Sequence, residues 1–331
     1  MKIFRFSFLA CLLSVTLTPL SAIAWGGAGQ QLIVRVAFAG LPETVPDFVR
    51  AQTTVDQVAI ISDEADHMKN AGNSADHDLG PADYIQIGDD GRVMGVLALT
   101  PLPSDREAYD SALRKAGTDE YKAGYLPYAI IDSFEVVRRD FAYWRALDAM
   151  SRTAKTNEDK TYFANLRSVR ETLTTRDLGI LGLFVGSGSS PLHVTMHSDG
   201  WDKYPNSKGI FAKFERYPSS GIKEAQIKNR LKAYTPCNCT LEEETVKYLA
   251  DAASQVERLY QLSAFGAFDA PTNAGTGFAV DRLATGATEL RNLIAAAWLE
   301  SQDESVGTPP VKVSDVEKGA ATLTKASLGD E

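Results

Sequence analysis

Leu183-Phe184-Val185-Gly186-Ser187-Gly188-Ser189-Ser190-Pro191-Leu192-His193 is the stretch on which the reading of this chain turns. It follows a segment in which Tyr162, Leu166, Val169 and Leu173 recur at three- and four-residue steps, the spacing of one helical face, so a helix is expected over 158–181. Gly186-Ser187-Gly188-Ser189 then reads as a loop, and Pro191-Leu192-His193 ends the stretch on one imidazole. A serine-hydrolase elbow is excluded. That turn needs Gly-x-Ser-x-Gly between a strand and a helix, whereas here the spacing differs and a helix precedes.

Working outward, helices dominate. In 129–155, Ile130, Phe134, Val137, Phe141, Trp144, Leu147 and Met150 line one face. Two more helices are expected at 242–264 and 281–301, the first with Thr240 as N-cap and Glu243 as capping-box partner. One segment departs from this period. Asp83–Ile87 and Val93–Leu97 flank Gly88-Asp89-Asp90-Gly91 and read as a β-hairpin. Stretches 101–127 and 198–240 are rich in Pro and Gly and read as irregular connections. Beyond Gln302 large apolar residues thin out, so 302–331 is expected to be a disordered polar tail. The expectation is an all-α protein, a single multi-helix domain over 25–301 with one small β-hairpin.

The opening residues bear on compartment. Lys2 and Arg5 precede an apolar run from Phe6 to Leu20, and Ala22-Ile23-Ala24 has the small-x-small form of a cleavage site. This reads as a secretory signal peptide over 1–24, leaving Trp25 as the mature N-terminus in the periplasm or outside the cell. No later stretch approaches the roughly 20 apolar residues of a spanning helix. Formal charge is -9, and loss of the two cations Lys2 and Arg5 takes it to -11. Such a surface argues against broad phosphate-backbone binding, which runs on Lys and Arg, and leaves no strong nucleic-acid signature. Cys11 leaves with the signal, so Cys237 and Cys239 are the thiols of the mature chain, and a disulfide and two free thiols stand as alternatives. A Cys-x-Cys bridge closes a tight ring and is expected to be relatively reducible.

The stretch 183–193 resembles the H-[FY]-x-G-D-x-x-Q-P-L-H core of the S1/P1 nuclease family, relatives of bacterial zinc phospholipase C. The family's metal-binding His and Asp fall at Leu183 and Ser187, while Pro191-Leu192-His193 is unaltered. Trp25-Gly26-Gly27-Ala28-Gly29-Gln30 is similar to the family's W-G-x-x-G-H start, with Gln30 in place of the His. Asp66, in Glu64-Ala65-Asp66-His67, looks like the family's helix Asp, and Asp83-Tyr84-Ile85-Gln86 like its His-Phe-[IV]-Asp strand; His67, His77 and Asp78 stand as alternatives there. Phe211-Ala212-Lys213-Phe214-Glu215 matches the shape of a His-x-x-x-[DE] pair. Gly124–Tyr128, Phe278–Ala287 and Ala297-Trp298 are further landmarks.

The resemblance implies a fold of the phospholipase C/nuclease type. It also implies a trinuclear zinc site that activates water for in-line attack on phosphorus. Trp25, Asp66, Asp83, His193 and Glu215 retain metal-binding chemistry, whereas Gln30, Leu183, Ser187 and Phe211 are degenerate ligand positions. Leu183 has no lone pair, and Ser187 is a poor zinc ligand beside Asp. The expectation is a pseudoenzyme without a cofactor that binds a small-molecule or protein ligand. The alternative is a metal-dependent phosphoesterase or nuclease with a reduced site. There His193, His197 and Glu215, with Asp66 or Asp83, would hold one zinc or another divalent cation.

Overall fold

A computed structural model describes residues 25–68 and 80–329, without the side chains of 65–68. The signal-peptide expectation for 1–24, the candidates His77 and Asp78, and the side chains of Asp66 and His67 lie outside the described residues.

Two long helices, Leu126–Thr153 and Asn157–Ser189, form the scaffold. Three residues join them, so they pack side by side as a helical hairpin. The turn is held by Thr156, whose hydroxyl accepts from the Asp159 amide at 3.0 Å and satisfies an orphan donor of the new helix. A third long helix, Asn273–Glu300, starts at Thr272, which caps the Gly275 amide at 2.9 Å, and packs against both. Helices Gly26–Ala39 and Gln52–Met68 lie against Asn157–Ser189 as well. Ile33, Phe134, Phe141, Leu178, Leu183, Phe214 and Leu290 are buried where these elements meet. At roughly 1.5–3 kcal/mol for each large apolar side chain, this burial is the main term holding the fold.

Among the described residues the molecule is mostly helical, with two small two-stranded sheets. The helix at 242–264 divides at Ser254-Gln255 into Leu241–Ala253 and Val256–Ala264. Its capping box forms as read. Thr240 Oγ1 accepts from the Glu243 amide at 3.3 Å, and Glu243 Oε2 accepts from the Thr240 amide at 3.0 Å. The irregular connections hold short helices of their own, including Arg106–Lys115 and Ile210–Glu215.

The hairpin is shifted from its expected place. Arg92–Val93 pairs with Leu97–Ala98, while Ile87 reaches Val93 only as an isolated bridge. Met94 and Gly95 take φ of 52° and 70°, the left-handed pair of a primed turn, and this turn sets the register. Met-Gly lacks the Asn-Gly signature of such turns, so the preceding Gly-Asp-Asp-Gly was the louder signal.

The disordered tail is a correction. Ser305–Val306 pairs with Val311–Lys312, and a short helix Val313–Glu317 follows. Val306, Val313, Val316 and Leu323 are buried against Ala146, Leu147, Met150 and Phe163 of the helical hairpin. Arg145 ties the segment down, donating to the Trp298 carbonyl and the Ser301 hydroxyl at 2.8 Å each and pairing with Glu317 at 2.9 Å. Four well-placed apolar side chains suffice to dock a segment whose average composition is polar.

Candidate functional site

The helix expected to end at 181 runs on to Ser189, so Gly186-Ser187-Gly188-Ser189 is helical rather than a loop. Its glycines are there for close approach. A Cβ on Gly186 would lie 1.8 Å from Gln30 Oε1, and one on Gly188 would lie 2.7 Å from the Tyr248 ring. Neighbouring elements therefore press directly on the last helical turns and hold them. Arg282 covers the end, donating to the Ser189 carbonyl at 3.1 Å while both terminal nitrogens meet Asp251 at 2.9 Å. A cation over the last carbonyls opposes the helix dipole. Ser190 then leaves the helix, and Pro191–His193 forms a 3-10 turn.

Around this helix end the structure gathers residues from five separate segments. Ser187 is fully buried and its hydroxyl donates to the Asp83 carboxylate; the same oxygen lies 3.0 Å from the Leu183 carbonyl. His193 Nδ1 lies 2.8 Å from the Asp83 carbonyl oxygen, which assigns its proton to Nδ1, and 3.4 Å from Asp83 Oδ2. The Ile85 amide returns the bond by donating to the His193 carbonyl at 2.8 Å. Ser190 donates to the buried Glu215 carboxylate at 2.7 Å. Trp25, fully buried ahead of the first helix, donates from Nε1 to Ser189 Oγ at 2.7 Å, and that hydroxyl donates to the Gly186 carbonyl. Tyr248 donates to the Val185 carbonyl, and burial holds its phenol well above the usual range, so it remains a donor.

The degenerate positions fall in the same place. Gln30 is fully buried and its amide nitrogen donates to the Leu183 carbonyl at 3.1 Å. The Phe211 ring packs 5.3 Å from the His193 ring, centre to centre. Leu183 itself is part of the core. A trinuclear zinc cluster does not fit this donor set. Carbon occupies two positions, an amide nitrogen faces inward at a third, and the Asp83 carboxylate accepts from a hydroxyl. Among the described residues, the place where three His, Cys, Asp or Glu ligand atoms lie within 4.8 Å of one another is Cys237, Cys239 and Glu244, far along the chain from these positions. There the two sulfurs are bonded to each other.

Asp63, on the same helix as Asp66, places its Oδ2 2.2 Å from where a Cβ on Gly27 would be. Asp63 thus faces the first turn of the Gly26–Ala39 helix, next to Trp25. Ser189, Ser190, Tyr248 and Arg282 went unread; the run Ser187–Ser190 was their one signal.

His197 does not join His193. Its ring stacks on Trp201 at 4.2 Å and its Nε2 lies 3.1 Å from Asp89. Tyr260, pushed up to about 12 by burial, donates to the His197 carbonyl at 2.6 Å and accepts from the Gly200 amide at 2.9 Å. These residues flank an open cleft of about 700 Å³, walled by Ile87, Thr195, Trp201, Ala253, Lys203 and Glu257, the last two paired at 2.6 Å. Val194 and Thr195 of the cleft wall follow His193 directly in sequence, so cleft and buried centre are neighbours.

A scan against known protein-family models finds no match to this chain, and a search of curated proteins finds none either.

Proposed function

We propose that this chain is a secreted, degenerate member of the S1/P1 nuclease family, in which the metal centre has become a hydrogen-bonded part of the core. On this reading it acts by binding a ligand rather than by hydrolysis. The observation that carries the proposal is the convergence of Trp25, Gln30, Asp83, Leu183, Ser187, His193, Phe211 and Glu215 on one buried place. The motifs are scattered over 191 residues of sequence, and unrelated landmarks would have no reason to meet.

Trp25 adds support for the cleavage point. It has φ of 27°, the left-handed region where a preceding carbonyl crowds a side chain. A chain that begins at Trp25 has no preceding carbonyl and no such cost. The cleft beside Trp201 is the concave surface next to the centre and is the place where a small-molecule or protein ligand would sit.

The test is hydrolysis of single-stranded DNA and of bis(p-nitrophenyl) phosphate by mature protein supplied with zinc, magnesium or manganese. The expected rate is that of buffer with the same metal. Turnover that disappears in His193→Ala would overturn the proposal in favour of a reduced metal site.

A further inference from the structure

Just before the Leu241–Ala253 helix, Cys237 and Cys239 form a disulfide. Both residues are exposed. The bridge spans a sequence separation of 2. A cross-link over so short a loop removes little freedom from the unfolded chain, so as a staple it contributes little. An exposed bridge in a small ring is the labile kind. It also has company that a surface staple does not need. A carboxylate oxygen of Glu244 lies within 4.8 Å of both sulfurs, near enough to pass a proton through at most one water. Beside the sulfurs is a cavity of about 190 Å³ with mixed walls, Phe134, Leu241 and Leu299 facing Tyr234, Asn292 and Glu300.

Glu244 holds its proton more tightly than an ordinary glutamate. Burial raises its pKa, the Glu300 charge raises it further, and Lys247 opposes. The charged and titratable groups around it are Lys247 on its own helix, Glu289 and Glu300 on Asn273–Glu300, and Lys232 and Tyr234 on the segment before the bridge. Glu289 is pushed up to about 8, by burial first and then by the Glu244 charge.

We propose that Cys237–Cys239 is an exchange-active disulfide that oxidises dithiols in extended polypeptides, with Glu244 delivering the proton to the departing sulfur and the adjoining cavity seating a side chain beside the attacking cysteine. A substrate thiolate attacks one sulfur; the S–S bond breaks, a mixed disulfide forms, and the released sulfur takes a proton from Glu244. The second substrate thiol gives its proton back to Glu244 and attacks the mixed disulfide; that S–S bond breaks, and the other cysteine leaves as a thiolate that takes a proton from water. The substrate dithiol becomes a disulfide, and Cys237 and Cys239 become two thiols. Further turnover requires re-oxidation by another disulfide. This inference is independent of the nuclease-family reading.

The experiment mixes the full oxidised chain with a reduced bis-cysteine peptide, quenches with acid, alkylates and weighs both products. The expected result is one peptide disulfide per chain, with two new alkylated thiols at Cys237 and Cys239. Glu244→Gln is expected to slow the exchange at least about tenfold at pH 7 and to remove the acid limb of the pH–rate profile, while its melting temperature falls by no more than a few degrees. A bridge still closed after an hour in a hundredfold excess of peptide overturns the proposal. Identical rates and pH profiles for Glu244→Gln and wild type overturn the role of Glu244.

Discussion

At the buried centre, the Asp83 carboxylate accepts from Ser187, the Glu215 carboxylate accepts from Ser190, and the Ser189 hydroxyl accepts from Trp25. At the bridge corner, burial and then the Glu300 charge raise the proton affinity of Glu244, and burial and then the Glu244 charge raise that of Glu289, with Lys232 and Lys247 as opposing charges. Both regions bury acids among helices, and the outcome differs because of what faces them. A carboxylate met by a hydroxyl and an imidazole becomes structure, since its neighbours supply what water would. A carboxylate met by another carboxylate holds its proton and can still exchange it.

The most direct way to break this comparison is Asp83→Leu. It removes the acceptor of Ser187 in a fully buried setting, and a loss of about 3–5 kcal/mol in urea denaturation is expected. A change below about 1 kcal/mol would mean that the centre is not held by these bonds. The docked tail gives an apolar reference. Leu323, at 1% exposure, should cost about 2–4 kcal/mol as Leu323→Ala, against no change for a disordered segment. Gly186→Ala should cost about 2 kcal/mol, because its methyl meets Gln30; adding Gln30→Ala should recover most of that in a double-mutant cycle.

Glu289→Gln sharpens the comparison from the other region, with the opposite sign. Glu289 rises from 4.5 to about 8 on folding. Its proton-linked stability is complete below pH 4.5 and is lost as pH rises toward 8, because the unfolded chain releases a proton that the fold retains. The variant should therefore gain about 1–2 kcal/mol over wild type at pH 8 and nothing at pH 4. Thermal melts across that range check it.

Long periodic helices were legible because their apolar stripes are long, and the Thr240–Glu243 cap because its chemistry is local. Ser187 to Ser189 were misjudged for a physical reason. Glycine lowers helix propensity, but these glycines serve packing against Gln30 and Tyr248, which only the assembled fold reveals. The tail was hidden because its buried residues number few and lie far apart. The centre's location was readable from Trp25, Asp83 and His193, whereas its internal matching was not, since a hydrogen bond between Ser187 and Asp83 spans 104 residues.

The central claim is that a hydrogen-bonded core stands where the nuclease family holds zinc. It is tested most directly by native mass spectrometry of mature protein with a verified Trp25 terminus, after incubation with excess zinc and buffer exchange. The account predicts a mass with no retained metal, the same for wild type and for His193→Ala. Retention of one or more zinc ions by wild type, lost in His193→Ala, would contradict it.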